Sequence, residues 1–350
     1  MYFISAADAI MPAVRRTRDF LFRPFRLGAF LKLSLVAVLT EGLNGGNNFH
    51  ANRPTGHSSG NLHAFSPPAN LAKWIPVIVA AALVIVVLGL VISYLITRLR
   101  FAYFHCLVHN TQQIAPGWRL YRSQATRFFW LNVFVGFCFL LFVAIVALSF
   151  GPGLWRAFQD IQAGGQPDFG QILSLILPLI PIILLLALAG FTSDLILRDL
   201  MLPHFALDNA SAGEAWSEVW ANIMAEKGAF FVYALLRILL PIAAAFALFI
   251  AMIVPAILFV AVTAGIEVAI HAAFANPDGA TAIGGIVLLV IVGIIAFGVA
   301  VLAGLCIGGP LSTAVREYAL LFYGGRYQPL GDLLFPPLPP AAGPIAPGTA

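Results

Sequence analysis

Apolar runs long enough to cross a bilayer alternate with short, arginine-rich breaks along almost the whole chain. About 20 consecutive apolar residues span a hydrocarbon core as a helix. Six segments meet or approach that length: 27–43, 74–99, 128–150, 172–197, 228–262 and 283–309. The first is the weakest and carries Lys32 and Glu41. The fifth is part of a stretch from Gly228 to Ala275 with almost no polar break. As a helix rising about 1.5 Å per residue, that stretch is roughly 70 Å long, twice a bilayer core. Two spans there would need a turn, and no cluster of Gly, Asn or Asp supplies one. We therefore read one long helix, kinked near Pro241 and Pro255, whose far end leaves the membrane around Glu267. The alternative, two spans, would put the C-terminus outside.

The distribution of basic residues favours six spans with both termini cytoplasmic. Fourteen of the 19 Lys and Arg residues then fall on one side, among them Arg15, Arg16, Arg100, Arg198 and Arg316. Only Arg53, Lys73 and Arg156 fall on the other, and Lys32 and Arg237 lie within spans. That bias is the positive-inside pattern. The expected layout is a basic, amphipathic N-terminal segment over 1–26, a membrane domain over 27–323, and a Pro-rich, disordered tail over 324–350. The arginine-rich start, with no small-residue cleavage site after the first apolar run, argues against a cleavable signal peptide. The loop over 44–70, rich in Gly, Asn, Ser and His, reads as flexible.

The return spans end alike: RFAYFHCLVHN from Arg100, RDLMLPHFALDN from Arg198 and REYALLFYGG from Arg316. Trp118 follows Arg100 by the same 18 residues that separate Trp216 from Arg198, and Asn110 corresponds to Asp208. One reading is a helical hairpin used three times; the plainer one is that any hairpin protein ends its inward spans with arginine. The link AWSEVWANIMAEK predicts an interfacial helix over 212–226. Trp216, Trp220 and Ile223 share one face, Glu214, Glu218 and Asn222 the other. Ser211 and Glu214 form a capping box. Such a helix lies flat in the headgroup layer or packs against the bundle. The stretch from Ser5 to Phe22 reads the same way, weakened by Pro12.

Composition sets the class. Hydrophobic residues make up 61% and charged residues 10% of the chain, against about 45–50% and about 25% in soluble domains. The surplus must face lipid. The fold class is thus an all-α integral membrane protein of about six transmembrane helices with cytoplasmic interfacial helices. The net charge of +4 belongs to topology and implies no nucleic acid. Cys106, Cys138 and Cys306 are too few and too spread for a disulfide or zinc framework.

Charges inside spans are costly and mark candidate sites. Asp194 and Arg198, four residues apart, can pair. Arg237, about 13 Å into the fifth span, can reach Asp194 if those helices pack. The group reads as a proton or ion relay, or as a structural ion pair. Glu41 and Glu267 fall near the outer face and would line a cation entrance if they converge. His105 and His109 share a helical face, as metal ligands require, but the glutamate of a zinc-protease motif is replaced by Cys106. His204 sits at the corresponding edge, and His50, His57 and His63 lie in the first outer loop. Ala296, Ala300, Gly304 and Gly308 form a small-residue stripe, predicting contact between the fifth and sixth spans or a dimer. No P-loop, dinucleotide fingerprint or G-x-S-x-G is present.

The segments LFRPF, before the first span, and RDLMLPHFALDNASAGEAW, after the fourth, resemble those of uncharacterised bacterial polytopic proteins. Those proteins are related to the membrane domain fused to some glycerophosphodiester phosphodiesterases. The resemblance is one of layout over most of the chain. It implies a membrane module in the bacterial inner membrane. Nothing here corresponds to the catalytic barrel, so no catalytic residue carries over. The expected function is non-enzymatic, transporter-like or that of a lipid-interacting accessory subunit. The alternatives are a metalloenzyme acting on lipid headgroups through His105 and His109, and a scaffold for a partner protein. Membrane lipids are the expected partners, with a homo-oligomer or membrane partner besides, and no cofactor is expected.

Overall fold

The computed structural model describes residues 4–42, 71–162, 169–274 and 279–336. The loop over 44–70, with His50, His57 and His63, and the tail from 337 onward lie outside the described residues. Everything regular within them is helical. In order, the helices are α1 (Ile10–Phe22), α2 (Leu27–Ala37), α3 (Leu71–Val108), α4 (Ile114–Leu120), α5 (Arg122–Gln162) and α6 (Phe169–Leu195). Then come α7 (Leu202–Leu207), α8 (Ala212–Ala225), α9 (Lys227–Ala273), α10 (Gly279–Gly324) and α11 (Gln328–Leu334). A π-helical turn prolongs α2 over Val38–Gly42, and another joins α6 to α7 over Ile196–Met201.

Among the described residues, five helices are long and apolar enough to cross a membrane: those containing Pro76–Val108, Arg122–Ala157, Leu177–Leu207, Lys227–Ala273 and Ile283–Gly324. Their most apolar windows are not buried by protein at all, which in water would be untenable and in hydrocarbon costs nothing. Of the first expected span, the described residues form an 11-residue helix and a π turn of five, up to Gly42. The fifth is one unbroken helix of 47 residues with Pro241 and Pro255 inside it. No turn of the kind that two spans would need interrupts it.

Pro12 does not prevent α1 from forming, because it is the third helical residue. First-turn N–H groups have no intrahelical acceptor, so a proline there sacrifices no bond. The expectation that 324–350 is disordered fails for α11, whose Leu330, Gly331 and Leu334 are buried. Gly331 allows the close return: a Cβ there would lie 2.5 Å from the Gly324 carbonyl oxygen.

The chain divides into two compact units. The first comprises Met1–Asn47, Tyr103–Ile114 and Asn222–Ala350. In it α10 packs against α1, α2, α9 and α11. Its core is aromatic: Phe20 of α1, Tyr103 and Phe104, Tyr233 of α9, and Tyr318, Phe322 and Tyr323 of α10 are essentially inaccessible. Tyr233 stacks on Phe322 at 4.3 Å and on Tyr318 at 5.5 Å. The second unit comprises Asn48–Ala102 and Ala115–Ala221. There α5 packs on α6 and α7, with Phe128 edge-on to Phe101 at 5.6 Å and to Phe205 at 5.3 Å.

The three return segments behave alike. Arg100, Arg198 and Arg316 are all buried, and nearly all of the eight residues after each are buried too. Both α3 and α10 end eight residues beyond their arginine, at Val108 and Gly324. A short helix follows each return: α4, α8 and α11. One correspondence shifts. The left-handed residues are Asn110 (φ 52°) and Asn209 (φ 53°), so Asn110 matches Asn209 and not Asp208. The π turn at Ile196–Met201 absorbs one extra residue in the second unit of the repeat. Asparagine tolerates this conformation and ends helices in it.

Candidate functional site

Five charged side chains are drawn together inside the first unit. Glu317 is fully buried and lies 3.1 Å from Nε of Arg16. Its sequence neighbour Arg316 lies 4.0 Å from Glu41, and Arg237 lies 3.6 Å from the other oxygen of the same carboxylate. Beside them the Tyr103 and Thr313 hydroxyls are hydrogen-bonded at 2.7 Å. Three guanidinium groups thus share two carboxylates.

This arrangement corrects two sequence expectations. Arg237 pairs with Glu41, while Asp194 pairs with Arg198 at 3.2 Å, as its i, i+4 spacing predicted. Glu41 is only 7% accessible and meets the arginine that ends the sixth predicted span, so it is not at the opposite face. Glu267 is exposed and lies 30 residues beyond Arg237 on α9, about 45 Å of helix away. The two glutamates do not converge on an entrance.

Arg16 and Arg326 do more than set topology. Arg16 donates to the carbonyls of Leu107 at 2.7 Å and Val108 at 3.3 Å, and more distantly to Leu334. It therefore caps the C-terminal ends of α3 and α11, where unsatisfied carbonyls and the helix dipole favour a cation. Gln112 returns the favour, donating to the Phe20 carbonyl near the end of α1 at 3.0 Å. Arg326 grips Glu226 through two nitrogens, at 2.8 and 3.0 Å, and lies over the Phe322 ring at 4.1 Å. Sequence reasoning counted both arginines only as inside charges. The one available signal was Arg326's place directly after a return segment.

The small-residue stripe is not where helices approach most closely. Ala300 and Gly304 are exposed, and Ala296 is half-buried. Backbones come nearest at Gly308 and its neighbour Gly309, and the partner is α2. A Cβ on Gly309 would fall 2.7 Å from the Ser34 Cα, and one on Gly308 would fall 3.1 Å from Val38. Helices α9 and α10 do touch, but through Phe230, Tyr233, Tyr318 and Phe322.

The histidines also rearrange. His105 and His109 share a face, with rings 4.2 Å apart, but belong to no group of three metal-ligating side chains among the described residues. His204 does: its Nδ1 is 3.0 Å from Glu218 of α8 and 4.0 Å from Asp208. The same α8 carries the predicted capping box. The Ser211 N–H donates to Glu214 at 2.8 Å, and the Glu214 N–H donates to the Ser211 hydroxyl at 3.3 Å. The Ser211 backbone N–H, and after it the Ser211 hydroxyl, hold the Glu214 carboxyl below its usual range.

Two edges expose apolar groups among charges. On α8, Ala215 and Val219 are buried, while Trp216, Trp220 and Met224, spaced by four, are each at least 40% exposed. The two indoles stack at 5.8 Å. Between α1 and α2, Phe22, Phe25 and Leu27 are exposed alongside Arg23 and Arg26. In the first return segment Trp118 is engaged instead: Arg98 lies over its ring at 4.3 Å and donates to its carbonyl at 2.7 Å.

No curated protein and no solved structure matches the chain. A family model matches residues 4–333, nearly the whole length. Nothing in that match links the chain to phosphodiesterase-associated membrane domains. With its apolar helices, buried arginines and exposed tryptophan edge, the chain belongs to DUF7544, a family of unknown function.

Proposed function

We propose that the protein is a non-enzymatic, lipid-interacting membrane module that grips the headgroup layer of the inner leaflet. The observation that carries this reading is α8. One stripe of the helix, Ala215 and Val219, is spent on packing, yet the next stripe presents Trp216, Trp220 and Met224 outward. An indole has an apolar body and a polar N–H, and its preferred place is the boundary between acyl chains and headgroups. The exposed FRPFR segment supports the same reading. Its phenylalanines suit the acyl boundary, and Arg23 and Arg26 suit anionic phosphates, each such charge contributing about 1 kcal/mol near an anionic surface.

The buried charges are assigned to structure. In the first unit each carboxylate of the cluster already has guanidinium partners, and Arg16 also caps helix ends. A relay would need a group free to exchange its partner.

The test uses a variant retaining Trp216 and Trp220, with Trp74, Trp118, Trp130 and Trp155 changed to Phe, in bilayers containing an anionic phospholipid. Lipids brominated near the headgroup end of the chain should quench the remaining fluorescence strongly, and aqueous iodide weakly. Full quenching by iodide with none by bromolipid would remove α8 from the membrane and end this reading.

A further inference from the structure

Where α7 gives way to α8, one imidazole and two carboxylates converge. His204 and Asp208 are one helical turn apart, and Glu218 comes from α8. The three donor atoms lie within 4.8 Å of one another. The ring nitrogen is 3.0 Å from the Glu218 oxygen and 4.0 Å from that of Asp208. An ion bound at about 2.0–2.2 Å holds neighbouring ligands roughly 3.0–3.6 Å apart. Small side-chain rotations close the set to that size. The carboxylates lie at the surface, Asp208 44% and Glu218 57% exposed, while the ring is fully buried.

We propose that His204, Asp208 and Glu218 bind a divalent transition-metal ion that ties α7 to α8. Imidazole with carboxylates suits zinc, manganese or ferrous iron better than calcium or magnesium, which prefer all-oxygen sets, or cuprous ion, which prefers sulfur. The tie does not depend on whether α8 also meets lipid.

The experiment measures zinc uptake by equilibrium dialysis and thermal unfolding, using the chelator-stripped full chain in detergent. The wild type is compared with the near-isosteric Asp208→Asn/Glu218→Gln and with Asp208→Asn alone, which alters only an exposed side chain. Wild type should take up one more zinc than the double variant, at least tenfold more tightly, and should melt higher with zinc, because a ligand that binds only the folded state stabilises it. Asp208→Asn alone should weaken uptake and keep the fold. Zinc binding that is absent from wild type, or equal in wild type and both variants, overturns the proposal. The second outcome would place any binding elsewhere, as in the histidines of the 44–70 loop.

Discussion

Glu317 shows what a buried charge does here. It has no solvent access, and its compensation comes from Arg16, 3.1 Å away on another helix. Such a pair adds little net stability over an apolar pair, but removing one member leaves the other desolvated and uncompensated, at about 3–5 kcal/mol. Glu317→Ala should therefore lower the thermal unfolding midpoint sharply, whereas Arg18→Ala, whose partner Asp19 is exposed, should hardly move it. Equal effects of the two would mean that the cluster carries no structural weight. The residue scale is also where sequence reasoning was weakest. The Asp194–Arg198 pair was legible because i, i+4 spacing fixes proximity within one helix. Arg237 was not, because helical rise gives its depth along α9 and says nothing about which helix lies beside it. The small-residue stripe failed likewise: an interval of four defines a face, but the neighbour's side chains decide which glycine is pressed.

At the scale of elements, α8 was read almost completely. Its boundaries, its capping box and its tryptophan stripe all follow from local rules that need no tertiary information. The box makes a prediction about pH. Bonds from Ser211 hold the Glu214 carboxyl below its ordinary value, through the backbone N–H first and the hydroxyl second. A carboxyl depressed in the folded state contributes stability above its unfolded pKa, about 4.3, and that contribution is lost as pH falls through the folded value. In NMR titrations Glu214 should titrate below free glutamate, and Ser211→Ala should raise it only part of the way, since alanine keeps the backbone N–H; an ordinary value in both proteins would contradict the box. Helix α11 and the π turn at Ile196–Met201 were missed for one reason. A seven-residue helix containing Pro329 and Gly331 has poor intrinsic propensity, and packing of Leu330 and Leu334 forms it. A π turn leaves no mark on hydrophobic periodicity beyond one displaced residue, visible here as the shift from Asp208 to Asn209.

For the whole molecule, the hairpin reading gains from burial. Three arginines entering the core at the head of three return segments, each followed by a short helix, go beyond what inward-span charge bias requires. The fold class was legible because it depends on composition and run length, which tolerate local error. The charge cluster was not, because it is made by contacts between helices far apart in sequence. The central claim is that the apolar helices meet lipid and not water. It bears hardest on α3, where every residue from Pro76 to Ser93 is exposed, five turns with no covered face. The most direct measurement is a spin-label scan of single cysteines from Val77 to Ile92 in bilayers, with Cys106, Cys138 and Cys306 replaced. High collision rates with oxygen and low rates with a water-soluble nickel chelate are expected at every position, without helical periodicity. Frequent nickel collisions along a whole face of α3 would contradict the claim.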